Sequence, residues 1–335
     1  MSVFRESINR IQELAIKWLL VMCFGCAPLA NSVAQSLTID ETDVAITIKQ
    51  GKQTVVVYNK VSPAAPEGVD PVYERSGLLH PVKTPDGFTV TEMFPRDHLH
   101  QHGIFSAWVR TTYDGETIDF WNLAARTGRV LHDRVVSITK NDEKVGFEVE
   151  LIHRIESTPP IDVLRERWKI TANATDGSYH SFDLETTQAA ITEKPLLINE
   201  YHYGGIALRG PTSWLSQKRS ENQPAEKVSV FLNDLGSNRE KGNHEHSKWV
   251  ALSGPNGSKT ACVAVLSHAD NFRSPQAARL HPNKPYFCFV PCFDGEFTID
   301  RQHPYKARFR YFVTDSPPDP VWLNRQWDQW CGGKH

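Results

Sequence analysis

Short runs in which apolar and polar residues alternate recur along most of this chain, separated by turn-forming residues. Val44–Ile48, Thr54–Tyr58, Phe88–Phe94, Val145–Ile152 and Trp168–Ala172 follow the pattern, as do Ala261–Leu266, Tyr286–Val290 and Ala307–Val313. Each is rich in Val, Ile, Phe, Tyr or Thr, and a period of two puts alternate side chains on one face. Each is therefore predicted to be a strand. Asp-Gly pairs at Asp86-Gly87, Asp114-Gly115, Asp176-Gly177 and Asp294-Gly295 supply hairpin turns.

Only the end of the chain carries a good helical signal. Asp319 before Pro320 marks a helix start, and the pattern runs to Trp330 with Trp322, Leu323, Gln326 and Trp330 on one face. Many antiparallel strands with so little helix predict an all-β fold, a large antiparallel β-sandwich or barrel closed by a short C-terminal helix. The polar stretch 216–246 reads as a long surface excursion. Its His244-Glu245-His246 imitates a metal motif, but a solvated loop is the better reading.

The first 34 residues read as a leader. Arg5, Arg10 and Lys17 precede the apolar run Trp18–Ala27, which is too short and too abruptly ended to span a bilayer. Ser32-Val33-Ala34-Gln35 then offers a cleavage site after Ala34. A lipid anchor on Cys26 is the weaker alternative, because Cys23-Phe24-Gly25 is a poor lipid-attachment sequence. The expectation is an exported protein, with residues 1–34 a signal peptide and 35–335 a single domain.

Composition narrows the partners. With 335 residues, a net charge of -2 and 40% hydrophobic residues, the chain is ordinary globular material with no basic run, which argues against nucleic acid. Cys262, Cys288, Cys292 and Cys331 remain after the leader. Cys288 and Cys292 lie too far apart along an extended backbone for a comfortable bridge, and no second close pair supports a zinc site. Buried free thiols are the plain reading.

Three regions concentrate chemistry. In Asp97-His98-Leu99-His100-Gln101-His102-Gly103, an extended backbone would put three imidazoles on one face at intervals of roughly 6.6 Å. Such a row is costly to bury, so it is expected to line a polar cleft. The second region is Asn199–Gly205, with Glu200, His202 and Tyr203, leading into Arg209; the third is His268–Pro275, with Asn271 and Arg273. Two roles fit the histidines. His98 and His100 could share a divalent metal completed by Asp97 or Glu200. Alternatively His98, His100, His102, Glu200 and His202 supply an acid and a base acting on a carbohydrate. Asp97, Tyr203, Arg209, His268, Asn271 and Arg273 would then grip the substrate, although Arg209 and Arg273 serve equally well as structural ion pairs.

The ordered set Arg96–Phe105, Ile118-Asp119-Phe120-Trp121-Asn122, Gly128-Arg129-Val130, Leu164–Trp168, Tyr203–Arg209 and His268–Pro275 resembles a family of secreted bacterial proteins labelled methane oxygenase PmoA. The resemblance runs from about Gly77 to Asp315. Leu99 replaces the proline of the family's Asp-His-Pro-His pattern. His202-Tyr203-Gly204 stands where many members have Lys-Glu-Gly, which leaves Glu200 as a nearby substitute for a catalytic carboxylate. The membrane monooxygenase subunit that the label names is a multi-helix protein, and no segment here is long enough for such a span. The resemblance instead implies a galactose-mutarotase-like supersandwich and a carbohydrate-active role, cleaving a glycoside as hydrolase or lyase. A non-catalytic glycan-binding module and a His-ligated metal-dependent oxygenase are the rivals.

Overall fold

Period-two alternation is realised as two eight-stranded antiparallel sheets laid face to face. A computed structural model describes residues 36–141, 144–215 and 228–332, so the leader lies outside the described residues. In spatial order the first sheet runs Leu37–Glu41, Ala45–Gln50, Gln53–Asn59, Leu78–Val82, Ile104–Trp108, Gly204–Arg209, Tyr286–Phe289, Ala278–Leu280. The second runs Val230–Asn233, Trp249–Asn256, Lys259–Ser267, Tyr305–Thr314, Tyr179–Ala190, Ile161–Asn173, Lys144–Ile155, Gly128–Lys140. Phe297–Ile299, Leu196–Ile198, Thr111–Tyr113 and Glu116–Ile118 form a smaller sheet.

One apolar core joins the two large sheets. Ile46, Leu79, Phe105 and Leu208 of the first meet Leu151, Trp168, Leu184 and Phe309 of the second. These side chains occupy alternate positions of their strands, which is why a half-buried sheet needs the alternation seen in the sequence. The fold is a large antiparallel β-sandwich.

Three local expectations are corrected. Phe88–Phe94 is not a strand and makes only an isolated bridge, Lys83 to Thr89. Its later backbone groups are used elsewhere: the amide of Glu92 donates to the Arg209 carbonyl, and the amide of Gly103 donates to the Glu92 carbonyl. Asp294-Gly295 ends the 3-10 turn Pro291–Asp294 and does not close a hairpin. The described part of the polar stretch, 228–246, is no solvated excursion. It holds the edge strand Val230–Asn233, with Phe231 and Asn233 buried, and a buried Arg239 that donates to the carbonyls of Ser229, His281 and Lys284.

The helix Pro320–Trp330 forms where expected, but its buried face centres on Leu323 and Trp327, not on Gln326. It covers Trp249, Leu266 and Phe312 on the outer side of the second sheet. Asp319 caps it by accepting from the amides of Val321 and Trp322. Asp319→Ala is expected to cost about 1 kcal/mol, read as a lowered urea midpoint at unchanged slope. The four cysteines are free and buried. Burial pushes the Cys262 and Cys292 thiols up to about 12 and that of Cys288 to about 11, which leaves them unreactive.

Candidate functional site

The histidine segment does not extend. It folds into consecutive turns, with the amide of His98 donating to Pro95 and that of Gln101 donating to His98. Gly103 fixes the exit: its φ is +55°, and a Cβ there would stand 2.2 Å from the carbonyl oxygen of Leu79. The tight path splits the expected row. His98 and His100 face a common cleft, their ring centroids 5.6 Å apart. His102 is fully buried, its Nε2 donating to the Tyr73 carbonyl at 2.8 Å and its ring packed against Phe94. It takes no part in the cleft.

The cleft encloses about 160 Å³. His98, His100 and the amides of Gln101 and Asn122 supply its polar lining, and Val109, Trp121, Tyr201 and Tyr203 its apolar walls. His281 stands beside His98, with ring centroids also 5.6 Å apart. Strands Ile104–Trp108 and Gly204–Arg209 pair in the middle of the first sheet and hold the flanking loops in place.

Electrostatics organise the polar side. Arg209, fully buried, donates to both oxygens of Asp97 at 3.0 and 2.8 Å and to Gln101 Oε1 at 2.8 Å. Lys284 reaches Asp97 at 3.1 Å, and His98 Nδ1 lies 3.2 Å from Asp97 Oδ2. Partial burial would raise the Asp97 carboxyl, but the bonds from His98, Arg209 and Lys284 hold it far below the usual carboxylate range. An ionised Asp97 keeps the proton on Nδ1 of His98, so Nε2 is the basic atom. Burial, reinforced by the charges of His98, Arg209 and Arg75, lowers His100 to about 4. Burial and the charges of His98, Arg279, Lys284 and Arg209 lower His281 to about 3. Both are neutral at pH 7.

The second sequence region contributes its tyrosines. Glu200 is exposed and outside the cleft lining. His202 lies against the rings of Tyr201 and Tyr203, with centroids 4.2 and 4.7 Å away, and is not part of the cleft lining. Burial raises the Tyr203 hydroxyl, and the Arg279 guanidinium sits 5.0 Å from the centre of that ring.

The third region is structural. His268 Nδ1 accepts from the amide of Asp270, and its ring packs edge-on against Trp330. Asn271 ties down the backbone of Arg308 through both ends of its amide. Arg273 donates to the carbonyls of Pro291, Gly295 and Glu296, and its guanidinium stacks over Phe272. None of the three lines the cleft. Arg209 likewise acts as an internal ion pair rather than an exposed grip. Residues the sequence reading passed over are Gln101, Val109, Tyr201, His281 and Lys284. Gln101 and Tyr201 lay inside the first and second regions without being assigned a role, and Gln101, Trp121 and Asn122 fall within the family pattern, whereas Val109, His281 and Lys284 carried no signal.

A divalent metal held by His98 and His100 needs further ligands. His98 has one nitrogen engaged by Asp97, and among the described residues no group of three or more His, Cys, Asp or Glu is placed to hold a metal ion. The donor set does not fit a metal centre.

Residues 45–328 match the family of unknown function DUF6807, and the chain belongs to that family. No curated protein matches it. Among solved structures it is similar to the heparan sulfate lyase HepC from Pedobacter heparinus, at 13% identity and a TM-score of 0.37. That alignment covers 94% of this chain and 41% of the lyase, so the chain spans less than half of the lyase's length. It is also similar to the Slr1438 protein from Synechocystis sp. PCC 6803, at 9% identity and a TM-score of 0.36, covering 85% of this chain and 96% of that one.

Proposed function

We propose that the His98 cleft is the active site of an exported carbohydrate-active enzyme that cleaves an acidic glycan by β-elimination. The observation that carries the reading is the Asp97–His98 pair, locked by Arg209 and Lys284, with His98 opening into a cleft walled by aromatic rings. His98 Nε2 takes the proton from the sugar carbon next to the carboxylate. The electron pair left on that carbon forms a C=C bond as the bond to the departing glycosidic oxygen breaks. That oxygen takes a proton from the hydroxyl of Tyr201 or Tyr203. Trp121 offers a sugar ring an apolar face, while Gln101 and Asn122 bind its polar groups.

Hydrolysis fits less well, because it ordinarily uses two carboxylates flanking the bond. Asp97 is committed to its cationic clamp, and Glu200 points away into solvent. No helix among the described residues is long and apolar enough to cross a membrane.

The test is incubation of the purified protein with polygalacturonate, alginate and neutral dextran, following the ultraviolet absorbance of an unsaturated product. Absorbance from an acidic polymer alone is expected. Reducing ends released from dextran without absorbance would replace elimination by hydrolysis. Retention on a glycan column with no product from any polymer would favour a binding module, a reading that the three aromatic walls also suit.

A further inference from the structure

We propose that the outer face of the second sheet is a separate docking surface for an acidic polysaccharide, which lies across the strands over Arg134, Arg167 and Lys306. The inference does not depend on the cleft, none of whose lining residues lies in a strand of the second sheet.

Strand register places these cations in one line. Arg134 pairs with Glu150, Glu150 with Arg167, Arg167 with Thr187, and Thr187 with Lys306. One row therefore crosses five strands. Each of its cations is two strands from the next, about 9.6 Å at the usual strand spacing. Arg165 flanks the row two residues from Arg167 on the same exposed face. The neighbouring row is built differently. There Glu148, Lys169, Glu185 and Arg308 alternate in sign, with Lys169 3.7 Å from Glu185 and Arg308 paired with Asp270.

The cationic row lacks that balance. Arg134, Arg165 and Arg167 all converge on Glu150, at 2.7, 3.4 and 2.6 Å, and Glu150 is almost fully covered by them. One carboxylate thus serves three guanidiniums, each about half exposed. Lys306 is exposed and makes no ion pair among the described residues. The row therefore carries surplus positive charge at half-exposed positions, which an anionic partner would complement. At the Lys306 end lies a hollow of about 300 Å³, lined by Thr187 and Lys306 and by the carboxylates of Glu185 and Asp270, the latter paired with Arg308, so that Lys306 is its one cation without an ion pair among the described residues.

Spacing chooses the partner. Cations about 9.6 Å apart suit an extended glycan with one acidic sugar in each disaccharide. A nucleic acid strand presents a phosphate every ~3.4 Å of rise and would leave most of its charge unmatched.

The experiment measures binding of the full mature chain to chondroitin sulfate, dextran and single-stranded oligothymidylate at low and moderate salt. Chondroitin sulfate should bind, weaken with salt, and outcompete the other two. Arg134→Gln, Arg165→Gln and Arg167→Gln should each weaken it about 2- to 5-fold, the range of exposed ion pairs. Lys306→Gln should do the same. It breaks no ion pair and so keeps the test valid if an arginine variant misfolds. The cleft variant His98→Gln should bind like wild type. Unchanged affinity in folded Lys306→Gln, tighter binding of oligothymidylate, or no binding of chondroitin sulfate at low salt would each overturn the proposal. Binding of chondroitin sulfate by the wild-type chain with no unsaturated product from any acidic polymer would count against the cleft reading alone.

Discussion

His98→Gln should lower kcat on the acidic glycan by about 10²- to 10⁴-fold, the usual worth of a positioned general base, with a small change in KM. The amide can accept a hydrogen bond but cannot take a proton, so ground-state contacts persist while the transfer fails. His102→Gln is the matched control, four positions further along the same motif. His102 is buried and bonded to the Tyr73 carbonyl, and its ring packs on Phe94. That change should lower the thermal midpoint and leave the turnover of the folded fraction near wild type. The two variants should thus separate chemistry from stability within seven residues. Full turnover in His98→Gln, on the substrate that gives the unsaturated product, would remove His98 as the base.

The contrast between those histidines also shows what the sequence can and cannot disclose. Strand positions were legible because burial imposes alternation: Lys144–Ile155 and Tyr305–Thr314 contain the predicted runs almost unchanged. The same rule failed at His98–His102. There the local path is set by Gly103 against Leu79 and by an Asp97–Arg209 bond across 112 positions, and neither contact has a periodic signature. Distance in sequence likewise hid His281 and Lys284, which reach the site from beyond the strand Ala278–Leu280. Arg273 misled for another reason. A guanidinium that serves three backbone carbonyls looks, in a sequence, like one waiting for a ligand. The cationic row was invisible too, since Arg134, Arg167 and Lys306 become neighbours only through register. Composition reported a near-neutral chain, which holds for the whole and not for that row.

Glu166→Ala should cost about 3–5 kcal/mol of stability, as expected when a large buried side chain is removed and the three buried donors it serves are left unpaired. Glu166 is fully buried behind the cationic row, on the inward side of the strand that carries Arg165 and Arg167. Its carboxylate accepts from His153 Nε2, Trp168 Nε1 and Thr186 Oγ1, each at 2.7 Å. Alanine leaves all three donors buried and unpaired, and it opens a cavity beneath Trp168. Burial would raise this carboxyl, yet the three donors, His153 foremost, bring it down to about 2 from its ordinary 4.5. A carboxyl lowered by folding stabilises the native state fully above its unfolded value, and that contribution is lost as pH falls toward the folded one. Wild type should therefore lose stability between about pH 4.5 and about pH 2, whereas Glu166→Gln, with nothing to protonate there, should show a shallower decline over the same window. Urea unfolding at pH 7 and at steps below pH 5 measures both effects. A loss under 1 kcal/mol in Glu166→Ala would mean that the sandwich does not depend on this buried polar cluster, and that its strands are held by apolar packing alone.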